Sequence, residues 1–347
     1  MDFLKPTFKK ICLLGLLLPL SGCFYLKSAY YELEILNQRV PMEYALKDPG
    51  LTEDQKRKMR LAQEAEIFAQ DQLHLSANGN YTSFVKLDRP YVTYVVSASP
   101  KWQLEHHFWT FPFVGSVPYK GYFVESDAKE EEERLKQQDL DTYLRGVSAF
   151  STLGWFKDPL LSTMLRYSDA DLVNTLIHET VHATLYIKSN ADFNERLAVF
   201  MGNWGAELFY KNKEGADSKT LVQIKFDNAD EKIFADFISK EIEMLKAWYQ
   251  SAPAHDETLR MNRLKEIQER FATEVQPRLK EKSYETFSKT ALNNARLLLY
   301  KTYLQDLSNF QRLAEKLHWN YQEFLESVKT LEKHPDPEQG LKSLADN

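Results

Sequence analysis

The chain has 347 residues, 43% hydrophobic and 27% charged, with 12 glycines and 13 prolines, which excludes a disordered, collagen-like or low-complexity protein. After the N-terminal segment no apolar run lasts the roughly 18 positions that a membrane helix needs, which excludes a polytopic membrane protein. A net charge of −6, spread evenly, lacks the clustered basic patch of a nucleic-acid binder, so no nucleic acid is expected as a partner.

Residues 1–22 read as a secretory signal: Lys5, Lys9 and Lys10 make a basic start, Ile11 to Leu20 are apolar, and small residues follow. Leu20-Ser21-Gly22-Cys23 resembles the bacterial lipobox. That resemblance implies a lipid anchor on Cys23, which becomes the first residue after cleavage. Phe24, in place of an aspartate, resembles Gram-negative lipoproteins held on the periplasmic face of the outer membrane. Cys12, the other cysteine, lies in the removed segment, so no disulfide is expected.

Apolar residues recur at helical spacing over Tyr25 to Leu46 and Thr52 to Leu75, separated by Pro49-Gly50 and followed by the Asn78-Gly79-Asn80 turn. Short strands are expected between Phe84 and Val124, where Tyr91 to Val96 and Gly121 to Phe123 are β-branched or aromatic. Ala128 to Asp139 reads as a helix with a solvated acidic face, and Tyr143 to Ser151 as a further strand. Helical periodicity then runs through Ile233 to Tyr249, Glu257 to Val275, Tyr284 to Leu307 and Tyr321 to Leu331. The expected fold class is α+β. One domain over 23–347 is expected, with N-terminal helices to residue 80, a sheet and metal-binding helices over 81–215, and a helical part over 216–347.

Ser168-Asp169-Ala170-Asp171 has the pattern of a helix start and opens the apolar run Leu172, Val173, Leu176, Ile177. Ten residues in stands His178-Glu179-Thr180-Val181-His182. Four residues are about one helical turn, so the two imidazoles share a face and one metal ion, with Glu179 beside them. A catalytic zinc needs a third protein ligand and an open position for water, and Glu195 is the candidate. The metal helix is expected to reach Lys188, turn at Ser189-Asn190, and restart with Asp192 as cap, so that Glu195 points back from an antiparallel helix. Glu179 is then the catalytic base that takes a proton from water and passes it to the leaving amine of a peptide.

Phe193-Asn194-Glu195 after the His-Glu-x-x-His run resembles the gluzincin metalloproteases. The chain as a whole is similar to the bacterial putative aminopeptidase family of zinc lipoproteins, through Arg89 to Val92, Val117 to Phe123, Arg145 to Phe156, Asp158 to Met164, the metal motif and Asn293 to Ala295. The resemblance implies a zincin-like zinc peptidase with His178, His182 and Glu195 as ligands and Glu179 as base. Two departures stand out: Val199 occupies the place of the acid that orients a histidine in thermolysin-like enzymes, and no motif for holding a substrate's amine is present. Exopeptidase and endopeptidase action both stay open, as does the oligomeric state.

Zincins lay a peptide along an edge strand, which points to Gly146, Val147, Ser148 and Ala149 as substrate-binding residues, together with Tyr119. Tyr119, Tyr122, Tyr186, Tyr300 and Tyr303 are chemically able to act as the transition-state donor. Asn293-Asn294 reads as an amide pair within a helix, and Glu105-His106-His107 as a surface loop. The alternative to a zinc peptidase is a non-catalytic envelope lipoprotein, a binding or scaffold protein with a structural metal or none; a third reading is hydrolysis of another bond, such as a cell-wall amide.

Overall fold

The computed structural model describes residues 21–76, 79–111, 115–149, 152, 156–251, 255–281, 284–304 and 307–346, the side chains of 21–23 excepted. The expected signal segment up to residue 20, the Cys23 side chain, Asn78 and residues 150, 151 and 153–155 lie outside the described residues. Among the described residues no helix is long and apolar enough to cross a membrane.

Helix α1, Ser21–Asn37, is followed by strand β1, Val40–Pro41, the short helix α2, Met42–Ala45, and α3, Glu53–Asp71. The single helix expected over Tyr25 to Leu46 therefore breaks. Pro41 has no N–H for a helical bond, and β1 pairs instead with Phe84 and Ser83. Helix α3 starts where a capping box dictates: Thr52 and Gln55 exchange side-chain and backbone bonds, and Met59, Ala62, Ala65 and Ala69 bury one stripe.

Next come β2, Ser83–Val85, β3, Thr93–Pro100, β4, Trp109–Phe111, β5, Gly115–Val117, β6, Tyr119–Tyr122, α4, Glu125–Lys136, β7, Leu140–Val147, and β8, Leu160–Leu161. They form a mixed sheet β1-β2-β8, an antiparallel sheet β6-β3-β7, and a hairpin β4-β5. Strand β3 is the middle of the second sheet and is buried from Tyr94 to Ser99. Side chains alternate between faces with period two. Tyr94, Val96, Ala98 and Tyr122 pack on Ala128 and Leu135 of α4. The other face carries Ser97, level with Tyr119 and Tyr143, and Val95, level with Gly121 and Arg145.

The remaining helices are α5, Asp169–Thr184, α6, Ala191–Glu214, α7, Lys219–Ser251, α8, Glu257–Arg270 with a π turn over Phe271–Val275, α9, Asn294–Leu304, α10, Ser308–Lys316, α11, Tyr321–Lys329, and α12, Pro337–Asp346. The largest core joins α3, α5 and α6 to the last three helices; a second joins α7, α8 and α9. The architecture is α+β, as expected.

Two further boundaries and one burial differ from the sequence reading. Helix α5 stops at Thr184 rather than Lys188. Helix α9 starts at Asn294 rather than near Tyr284, because Asn293 Oδ1 accepts from the Arg296 N–H and caps it. The Asn293-Asn294 pair is thus a helix start, and the Asn294 amide holds the Pro100 and Lys101 carbonyls at 2.8 and 2.9 Å. His106, expected in a surface loop, lies 3.3 Å from Thr302 Oγ1 with its side chain 8% exposed.

Candidate metal centre

Ser168 Oγ accepts from the Asp171 N–H at 3.1 Å, and Asp169 and Asp171 stand in the first turn of α5, where the helix dipole favours acids. Leu172, Val173, Leu176, Ile177 and Val181 bury one side of the helix. That burial fixes its rotation and leaves His178 and Glu179 partly exposed on the adjoining face, with His182 a turn beyond His178. The two imidazoles meet edge to face, with Nε2 atoms 3.1 Å apart.

The return path to Glu195 is set by the turn. Ser189 adopts φ 61°, and the Asn194 side chain clamps Ile187 from both sides, accepting from its N–H at 2.9 Å and donating to its carbonyl at 2.7 Å. Asn190, not Asp192, is the cap residue of α6, and Asp192 instead accepts from Thr302 Oγ1 at 2.8 Å. Farther along, two glycines let α5 and α6 touch. A Cβ at Gly205 would meet Ile177 Cγ2 at 2.9 Å, and one at Gly202 would meet Asn174 Oδ1 at 3.2 Å. Close antiparallel packing is what brings Glu195 Oε2 to 3.4 Å from His178 Nε2 and 3.5 Å from His182 Nε2.

These three side chains form a group that could hold a metal ion, with ligand atoms all within 4.8 Å of one another. The fit can be tested on size: bonds of about 2.0–2.1 Å to a tetrahedral cation give ligand-to-ligand edges of about 3.3–3.4 Å. The observed separations of 3.1, 3.4 and 3.5 Å match those edges. The donors also suit a cation chemically, since three lone pairs converge on one point. Burial tends to raise the Glu195 carboxyl, yet His182 and His178 outweigh it and hold the group well below the usual carboxylate range. Its other oxygen accepts from the Tyr119 hydroxyl at 3.2 Å. His182 Nδ1 is buried without a hydrogen-bond partner among the described residues, in keeping with the apolar Val199.

Glu179 projects beside the cluster. Burial pushes its carboxyl up to about 7; His178 opposes this, and Glu195 and Asp158 add to it. A carboxyl near neutrality is matched to proton transfer in both directions.

Of the five tyrosines considered from sequence, three gather here. Tyr119 bonds Glu195, Tyr186 lies 6.1 Å from the His182 ring, and Tyr303 is within electrostatic range of Glu195, Arg145 and Glu179. Tyr122 faces α4 instead, and Tyr300 packs on Phe234 and Phe287. Gly146 and Val147 pair with Tyr94 and Thr93 of β3. Ser148 is buried, its carbonyl accepting from Thr163 Oγ1 at 2.6 Å, and Ala149 is buried too. Arg145 is the residue that sequence reading passed over: its Nη2 donates to the Tyr303 hydroxyl at 3.2 Å. A charged residue among the inward positions of a half-apolar strand was the available signal.

The chain belongs to the putative aminopeptidase family, whose model matches residues 23–342. No curated protein and no solved structure matches it.

Proposed function

We propose that this member of the putative aminopeptidase family is a zinc-dependent peptidase in which His178, His182 and Glu195 hold the ion and Glu179 moves the proton. The observation that carries the reading is the approach of two imidazole nitrogens and a carboxylate oxygen to within 3.5 Å of one another, beside a carboxyl raised to about 7. A zinc ion held by these three residues would supply Lewis acidity toward a water and the scissile carbonyl.

The chain's own groups do the rest. Glu179 receives the proton of the attacking water on its carboxylate and returns it to the departing amine. Tyr119 orients Glu195 by holding the oxygen that faces away from the imidazoles. The Tyr186 and Tyr303 hydroxyls are the candidate donors for an oxyanion among the described tyrosines.

The test is metal analysis of the purified protein together with digestion of a diverse peptide pool by the wild type and Glu179→Gln. Stoichiometric zinc in both and cleavage by the wild type alone is expected. Absence of zinc, or equal cleavage by the variant, rejects the mechanism, and zinc without cleavage by either returns the non-catalytic lipoprotein.

The proposal includes a lipid anchor at Cys23 on the periplasmic face of the outer membrane. The family match begins at residue 23. In addition, Leu26, Tyr30 and Leu33 are 74%, 62% and 51% exposed, at spacings that line them up with Cys23 along α1, as suits a helix lying against lipid. Incorporation of labelled palmitate in the wild type, lost in Cys23→Ala, is the expected result.

A further inference from the structure

We infer that Arg145 sets the substrate class of this centre: short peptides whose free C-terminal carboxylate seats on its guanidinium. The inference rests on the peptidase reading and deepens it.

Arg145 sits on the face of the β6-β3-β7 sheet that carries Tyr119, and Tyr119 bonds the candidate metal ligand Glu195. Arginine has five N–H donors and is always charged. Among the described residues Nη2 has the neutral Tyr303 hydroxyl as its partner, and Nε is buried with none. No carboxylate pairs with Arg145 among the described residues. A permanently charged group held in this way is costly to the fold unless a ligand completes it.

The nearest fixed charges do not complete it. Glu195 is directed at the imidazoles and Tyr119. The fork geometry of a guanidinium matches a carboxylate with two parallel bonds. Open space lies on the same face two strands over: Gly121 is level with Val95, which is level with Arg145, and a Cβ built on Gly121 meets nothing within 4 Å. Tyr303 of α9 meets the guanidinium with both hydroxyl and ring, the hydroxyl accepting from Nη2 at 3.2 Å and the ring centroid lying 5.6 Å from Cζ. A terminal carboxylate is the group that every unblocked short peptide brings to such a guanidinium whatever its side chains, whereas an acidic side chain is present only in some sequences.

The experiment uses the full-length zinc-loaded protein and three peptides: Ala-Ala-Ala, its C-terminal amide, and Ala-Glu-Ala amide. Binding is measured by calorimetry on Glu179→Gln, which prevents turnover, and kcat/KM on the wild type. The free acid is expected to bind roughly 10- to 100-fold more tightly than its amide, the range of a charge-assisted bidentate contact. Arg145→Gln should erase the preference and Arg145→Lys should keep part of it. The acid-to-amide comparison needs no Arg145 variant, so a variant that fails to fold leaves the result intact. Equal binding of acid and amide overturns the inference, as does binding of no peptide. Equal binding of the free acid and the Ala-Glu-Ala amide overturns the terminal assignment in favour of an acidic side chain. Failure of the peptidase reading looks different: the wild type, zinc-loaded, leaves all three peptides uncleaved.

Discussion

Two clusters of buried polar side chains lie on opposite sides of the molecule's chemistry. In the first, Arg260 forks onto Asp141 at 2.7 and 3.1 Å and onto Glu257 at 2.7 and 2.8 Å, while Asp141 also accepts from the Asn294 N–H at 2.9 Å. One guanidinium is shared by two carboxylates, and every group named has a partner. In the second, two imidazoles and Glu195 bring three lone pairs together, and among the described residues His182 Nδ1 has no hydrogen-bond partner and Arg145 has the neutral Tyr303 hydroxyl as its own. A cluster that satisfies itself ties elements together; one with surplus acceptors and an underused cation is built for something that arrives from outside.

The sharpest way to break that contrast is at the second cluster. Glu179→Gln is expected to lower turnover of a cleaved peptide by roughly 10²- to 10⁴-fold with zinc content unchanged, the loss typical of a general base. A structural role for Glu179 would instead lower zinc content or stability.

At the first cluster the effect should fall on stability alone. Asp141→Ala leaves a buried Arg260 with the half-exposed Glu257 as its remaining carboxylate and should cost about 3–5 kcal/mol in urea unfolding. Double replacement with apolar residues at Asp141 and Arg260 should cost markedly less, because no charge is then stranded.

Glu66 sharpens the comparison from a third side, since both its carboxyl oxygens are buried and have no hydrogen-bond partner among the described residues. Burial pushes its carboxyl from 4.5 up to about 8. Its folded form therefore holds a proton that the unfolded chain releases, so the stability attached to the protonated group is full below about pH 4.5 and declines as pH rises toward 8. Glu66→Met should flatten that decline and leave the variant roughly 2–4 kcal/mol more stable than the wild type above pH 8, read from unfolding midpoints across pH.

The smallest expected effect concerns the helix contact that sets the metal geometry. Gly205→Ala must displace Ile177 or Leu73 and should cost about 1–3 kcal/mol. Zinc affinity should fall with it, because α5 and α6 carry the ligands; unchanged affinity would mean that the turn at Asn194 alone holds Glu195 in place.

Much of the centre was legible before any coordinates. The one-turn spacing of His178 and His182, the Ser168 cap and the apolar run behind them are local facts, and the helix period converts them into a shared face. Glu195 was reachable because a short turn joins two helices, although the stop at Thr184 and the Asn194 clamp were not. Those depend on hydrogen bonds between Asn194 and Ile187, which periodicity does not encode. The Tyr25 to Leu46 reading erred for a similar reason: β1 exists because β2 is there to pair with it, and Phe84 is far away in sequence.

Residue order by itself determined the α+β class, the helix that carries His178 and His182, and the identity of three converging side chains that could hold a metal ion, since the last two follow from spacing along two neighbouring helices. Only the tertiary structure decided which of five tyrosines reach the centre, that Asn293 begins a helix, and that Arg145 has the Tyr303 hydroxyl as its hydrogen-bond partner among the described residues. Those outcomes turn on which face of β6 and β7 is covered by which helix, and that choice is made by packing between segments more than a hundred residues apart.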